Sequence, residues 1–323
     1  MQIRKYKKND EIQILKLDRL VEIHPWNRRN LKNWSWKYKG PNPAGKSLVW
    51  VAVNKKKIFA TFSIIPINYL INKSIIKGSC SIAMIVHPLW QNKGLIKFVA
   101  DKLFSDAKMN HVRFIYGYPN ANAYNIHKSF FGYEDISNQK LIFKKLKKNI
   151  KINQINFYEK KIMKFDNEID DLWNRIKNQY VACVARSKTF LNWRYTLRPD
   201  AKYILFKYYY KQIIVGYSVL KKYQENKKIK GHIIDIFYDR KIKNLFEFMI
   251  NKNCNYLYND GCSEIEFWLQ GDYLGIKKLK KNNFIVKSER PFIMKKLSIS
   301  KNFSKYLNKK DWYFTMGDTL EIY

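Results

Sequence analysis

The chain has 323 residues, 46% hydrophobic and 16% aromatic, enough apolar material for two ordinary folded domains and too much for a disordered chain. Its 62 Lys and Arg against 26 Asp and Glu give a net charge of +36, yet only 11 of the basic residues are arginine and the lysines are scattered. That pattern reads as a solvated lysine surface and disfavours a nucleic-acid reader, which gathers arginine beside stacking aromatics; it suits an anionic partner or an anionic membrane face.

The opening "MQIRKYKKNDEIQILKLDRL" has no apolar signal core, and "IFATFSIIPINYLI" is interrupted by Thr61, Ser63, Pro66 and Asn68. A soluble, cytoplasmic protein is therefore expected. An amphipathic helix is predicted from Glu11 to about Glu22, followed by the Trp34/Trp36 segment and a hairpin, Leu48–Val53 and Ile58–Ile65, turned at "NKKK". Strand Ser79–Val86 leads through "HPLWQNKG" to a helix from about Gly94 to Met109, with Leu95, Phe98, Val99, Leu103 and Ala107 on one face. Strand "VRFIYGYP" and a short helix from Asn122 to Phe130 follow, before "FGYEDI". The second half repeats the order: helix 167–180, hairpin 202–220, strand 231–238, helix 241–253, strand 263–269, helix 272–282 and strand 284–296.

That recurrence extends to residues. "LKNWSWKYKGPNPAGKSLVWVAVNKKKIFATFSIIPINY" and "FLNWRYTLRPDAKYILFKYYYKQIIVGYSVLKKY" each carry an Asn-Trp pair, an aromatic two residues later, a proline, and two strands about a short basic turn. Lying about half the chain apart, they mark two copies of one domain, 1–148 and 149–323, divided in the linker "KKLKKNIKINQIN". Cys80, Cys183, Cys254 and Cys262 form no CxxC pair, and the five histidines have no ligand spacing, so buried thiols are expected and no metal.

The element order and the stretch "HPLWQNKGLI" resemble the GNAT acyltransferase superfamily, in which a strand feeds a Q/R-x-x-G-x-G/A loop that holds CoA pyrophosphate at the start of a helix. The loop aligns with Gln91, Asn92, Lys93, Gly94, Leu95 and Ile96, so isoleucine stands where a third small residue is expected. "GYPNANAYNIHKSFFGYEDI" resembles the family's Asn-containing loop, short helix and Gly-aromatic turn. The resemblance implies an α/β (α+β) fold of two tandem GNAT-like domains, each a mixed, mostly antiparallel twisted sheet flanked by helices. It is similar to the tandem proteins of bacterial surface-polysaccharide and amino-sugar modification.

The resemblance also implies an acetyl-CoA or other acyl-CoA co-substrate. The backbone of Met84, Ile85 and Val86 would pair with pantetheine, Gln91 to Ile96 would cradle the pyrophosphate, and Asn120 would assist. The second copy's "HIIDIFYDRKIKNLFEFMI" has no glycine between strand and helix, so one donor site is expected, in the first copy. For proton transfer the candidates are His127, whose side chain titrates in the right range, Tyr124 one helical turn earlier, and Glu134 after the turn; Asn122 is a candidate for orienting the thioester. Asp235, a carboxylate inside the apolar run "IIDIF", is read as orienting an acceptor in an inter-domain cleft, and Trp26 or Trp90 as a sugar-stacking platform.

The expected function is acyl-CoA-dependent N-acylation, with acetyl the leading acyl group and an amino sugar or other small amine, nucleotide-linked or lipid-linked, as acceptor. Two alternatives stand beside it: a Fem-like aminoacyl transferase using charged tRNA, kept by the net charge, and a non-catalytic nucleic-acid or anionic-surface module. Peripheral membrane contact accords with the charge, and nucleic acid is the less favoured partner.

Overall fold

A computed structural model describes residues 1–21, 30–147, 156–298 and 312–320. The expected boundary at 148/149, the end of the first helix at Glu22, and Trp26 lie outside these described residues.

The first half runs β1 (Gln2–Lys5), α1 (Asp10–Val21), α2 (Leu31–Lys39), β2 (Leu48–Asn54), β3 (Lys57–Ile71), β4 (Ser74–Val86), α3 (Leu95–Met109), β5 (Phe114–Gly117), α4 (Ala121–Phe131) and β6 (Glu134–Lys145). The second half runs β7 (Phe157–Ile162), α5 (Asn167–Ile176), β8 (Ala182–Val184), α6 (Lys188–Leu191) with a π-helical turn at Asn192–Thr196, β9 (Ile204–Tyr210), β10 (Ile213–Glu225), β11 (Lys228–Tyr238), α7 (Leu245–Asn259), β12 (Glu264–Trp268), α8 (Tyr273–Lys281), β13 (Ile285–Lys296) and β14 (Trp312–Tyr313). One mixed, mostly antiparallel sheet joins them, in the order β1-β2-β3-β4-β5-β13-β6-β12-β11-β10-β9-β7. At its centre each half's closing strand lies against the other half: β13 pairs with β5 and β6 pairs with β12. Helices flank the sheet, which is the expected architecture.

Several elements depart from the sequence expectation. The Trp34/Trp36 segment is a helix, started by Asn30, whose side-chain oxygen accepts from the Asn33 N–H. The β3–β4 hairpin is far longer than expected, and four hairpins turn on paired left-handed residues, Lys55-Lys56, Asn72-Lys73, Lys211-Gln212 and Asn226-Lys227, without glycine. Pro66 sits inside β3 because β2 has ended at its Ile64 partner and β8 begins only at Tyr69; its missing N–H falls in that gap, where Asn42 donates to its carbonyl at 2.9 Å.

Leu95, Val99, Leu103 and Ala107 of α3 are buried with Phe62, Ile64 and Ile115, whereas Phe98, expected on the same face, is 62% exposed. The repeated aromatics meet at the seam: Trp36 stacks on Trp193 with ring centroids 5.3 Å apart and donates through Nε1 to the Trp193 carbonyl at 2.8 Å. Trp34 and Tyr195 are buried as well.

Candidate active site

Strands β4 and β5 run parallel only through Gly78↔Phe114, Ser79↔Ile115 and Cys80↔Tyr116. Gly78 permits that contact, since a Cβ there would lie 2.6 Å from the Phe114 ring. β5 then ends at Gly117 while β4 continues to Val86, held on its other edge by β3. A wedge opens along Ser81–Val86, about 20 Å of strand at ~3.3 Å per residue. Inside it the β3 register jumps from Ser63↔Ile82 to Thr61↔Ile85, so that Ala83 and Met84 together face Phe62. This β-bulge is centred on Ala83, at φ 49°, and removes two residues from the ladder just where the strand lines the wedge.

The strand feeds a turn of unusual backbone. His87 accepts the Leu89 N–H through Nδ1, Asn92 has φ 59°, and Gly94, the residue before α3, has φ 71° with no side-chain cap on the helix. Gln91, Asn92, Lys93 and Gly94 are exposed, and a Cβ built on Gly94 would meet nothing within 4 Å. The turn therefore presents uncapped amides to open space at the positive end of a 15-residue helix. Gln91 donates its side-chain amide to the Val86 carbonyl at 3.2 Å, which ties the turn to the strand end instead of aiming that group outward. Ile96, half-buried, packs on the core under α3, so the larger residue at the third signature position is accommodated inside. Trp90 is half-buried against Phe59, with the Lys93 ammonium 5.6 Å from its ring, an arrangement unlike an open stacking platform.

Of the acid–base candidates, only His127 faces the wedge. It is 5% exposed, surrounded by Phe62, Phe131 and Tyr133. Its Nδ1 lies 2.7 Å from the Ala123 carbonyl, which can only accept, so Nδ1 carries the proton and Nε2 turns its lone pair toward Ser81 Oγ at 3.5 Å. Burial lowers its pKa despite the opposing hydrogen bond to Ala123, leaving a neutral imidazole near pH 7. Ser81, the first residue of β4 beyond its pairing with β5, carries no signal in the sequence; its position where β5 departs is a matter of register. The Tyr133 hydroxyl is buried close by without completing a hydrogen bond.

The remaining candidates lie elsewhere. Tyr124 donates to both oxygens of Asp135, at 2.9 and 3.0 Å, which raises its pKa. Burial opposes ionisation of Asp135, but Lys128 and Tyr124 hold it below the usual carboxylate range. Glu134 is exposed and pairs with Lys296 across the β6–β13 ladder. Asn120 caps α4 by accepting from the Ala123 N–H, and Asn122 is exposed on the first turn of that helix.

In the second half, β11 and β12 also run parallel, through Ile233↔Phe267, before β11 continues to Tyr238 held on its other edge by β10. Here the opening is filled by the protein itself. Phe314 and Gln270 exchange backbone hydrogen bonds at 3.1 and 3.3 Å, the Tyr313 hydroxyl donates to the Ile236 carbonyl, and Gly317 packs beside the Ile234 carbonyl. Asp235 is 1% exposed, with Arg186 and Thr315 on one carboxylate oxygen and Tyr195 and Tyr217 on the other. Arg186 also reaches Asp318 at 3.2 Å; burial, opposed by Arg186 and reinforced by Asp235, pushes Asp318 up to about 6. Asp235 thus anchors the Trp312–Leu320 strap and does not open onto a cleft, correcting the sequence reading. Asn244 before α7 has φ 64° and ψ 0°, against 71° and −1° for Gly94, so the turn is retained without glycine.

Among the described residues no helix is long and apolar enough to cross a membrane, and no three potential metal ligands are gathered together. No protein-family model and no curated protein matches the chain. Solved structures do. A GCN5-related N-acetyltransferase from Anabaena variabilis superposes with a TM-score of 0.71 at 11% identity over 92% of this chain and 73% of that one. A tandem GNAT protein from the clavulanic acid biosynthesis pathway gives 0.64 at 9% identity over 93% and 99% of the two chains. Saccharomyces cerevisiae N-myristoyltransferase with bound myristoyl-CoA gives 0.61 at 10% identity over 93% and 83%. At such identities the shared property is the fold, and the fold of this chain is that of a tandem GNAT protein.

Proposed function

We propose that the first half binds an acyl-CoA thioester and transfers the acyl group to the amine of a small acceptor, an amino sugar or another small amine. The observation that carries this reading is the β4 edge, bare among the described residues, leading into an uncapped, left-handed turn at the start of α3. An extended amide-bearing arm pairs with the edge as an added strand, and the turn's amides meet a pyrophosphate. The structural neighbours' own ligands accord with it, since one of them holds myristoyl-CoA.

In the reaction the amine nitrogen attacks the thioester carbonyl, the C–S bond breaks, the amine loses a proton and the thiolate gains one. The bulge at Ala83 and Met84 supplies main-chain amides that β3 does not use in register, placed to polarise the carbonyl. His127 Nε2, 3.5 Å from Ser81 Oγ, accepts the amine's proton by way of that hydroxyl, and the same pair returns a proton to the thiolate. The test is thermal unfolding with CoA, acetyl-CoA and longer acyl-CoAs. A ligand at 100 times its dissociation constant adds about 2.7 kcal/mol, and a flat melting temperature with every one of them overturns the reading.

A further inference from the structure

Around the mouth of the first wedge the surface carries more than a small soluble donor requires. The β2–β3 hairpin tip lies beside the phosphate turn, because the His87 N–H donates to the Phe59 carbonyl at 2.8 Å and Phe59 packs on His87 and Trp90. That tip holds Lys55, Lys56 and Lys57, all exposed, and the turn and the start of α3 add exposed Lys93, Lys97 and Lys102. Asp101 is the only acidic residue in 54–59 and 87–102. Two large apolar side chains flank the turn in the open: Leu89, 72% exposed, three residues before Asn92, and Phe98, 62% exposed, on the first turns of α3.

A free CoA uses the wedge and the turn, and its 3′-phosphoadenosine can meet some of the lysines, but it has no apolar face broad enough to cover Leu89 and Phe98 on both sides of the turn. An anionic bilayer uses the lysines and the apolar side chains but not the wedge. One occupant uses all three: an acidic protein that carries the acyl thioester on a phosphopantetheine arm, with the arm in the wedge, its phosphate at the turn, and its acidic, apolar-studded face against the lysines, Leu89 and Phe98. We infer that the donor is delivered by such an acyl carrier protein, with acyl-CoA as the minimal form of the same ligand. This rests on the acyl-transfer reading of the wedge and specifies its donor.

The experiment compares binding, by calorimetry, of acetyl-CoA, an acetyl-loaded bacterial acyl carrier protein, and the same carrier lacking its arm. The loaded carrier is expected to bind at least about tenfold more tightly than acetyl-CoA. Two variants, Leu89→Asp with Phe98→Asp, and Lys55→Glu with Lys57→Glu, are each expected to remove that advantage while acetyl-CoA binding stays within about twofold, which also reports intact folding. A loaded carrier no tighter than acetyl-CoA overturns the inference and leaves the acyl-transfer reading standing. Failure of both donors overturns the acyl-transfer reading itself. Binding of phosphatidylglycerol vesicles that is lost in both variants, with no advantage for the carrier, assigns the surface to a membrane and overturns the inference.

Discussion

Among the described residues the first wedge shows a bare strand edge beyond Cys80, whereas beyond Ile233 the second is filled by Phe314, Gly317 and their neighbours. Both are made in the same way, from a parallel strand pair that separates and a left-handed residue before the following helix. The sequence reading located the difference in a missing glycine. Asn244 narrows that explanation, because it adopts nearly the same φ and ψ as Gly94, so the turn itself survives and only the close backbone approach that a side chain blocks is lost. What separates the two wedges is a segment far away in sequence, drawn into the second by a buried arginine and two carboxylates. Whether a ligand enters a fold of this kind thus depends on what the rest of the chain places in the opening.

The largest test of that comparison is to loosen the strap. Arg186→Met leaves Asp235 and Asp318 buried without their cation and is expected to cost about 3–5 kcal/mol in urea unfolding. A loss below about 1 kcal/mol would show that apolar packing alone holds the segment.

In the open wedge, His127→Ala is expected to lower kcat about 100-fold or more while the melting shift with acyl-CoA persists. The pH profile gives the sign. Because burial lowers the pKa of His127, Nε2 is available above it, so the rate rises through that lowered pKa and is level by neutral pH. Loss of the rising limb in the variant identifies the group. The same shift adds stability that is full above about pH 6.5, where the unfolded imidazole is neutral too, and is lost as the pH falls toward the folded pKa.

Gly94→Trp, which places bulk over the open turn, is expected to abolish the acyl-CoA stabilisation of about 2.7 kcal/mol, whereas Asn244→Trp leaves it intact. The smallest effect is the most pointed. Asn244→Gly is expected to change stability by under about 0.5 kcal/mol and to leave CoA stoichiometry at one. A stoichiometry of two would return the decision to glycine.

Much of this was legible because it is local. Leu95, Val99, Leu103 and Ala107 announce α3 by their spacing, Ser79–Val86 by its apolar run, and the paired Asn-Trp stretches announce the repeat. Phe98 misled, since helical spacing assigns a face without saying where the packed part of that face ends. The hairpin turns at Asn72-Lys73 and Asn226-Lys227 carry no glycine signal, and β6 lacks the clean alternation of a half-buried strand. In the site, Gly94 and His127 were visible as residue types, but Ser81 became relevant only through the register at which β5 leaves β4.

The sequence by itself determined most of the element order and the strand–turn–helix that carries Gly94, because each follows from periodicity or from turn chemistry within a few residues. Only the tertiary structure decided that β13 and β6 lie across the halves, that Asp235 serves Arg186 and the strap, and that among the described residues one wedge is open while the other is shut. Those outcomes depend on partners such as Asp235 and Thr315, far apart in the chain, whose pairing is fixed by burial and charge once the chain has collapsed around them.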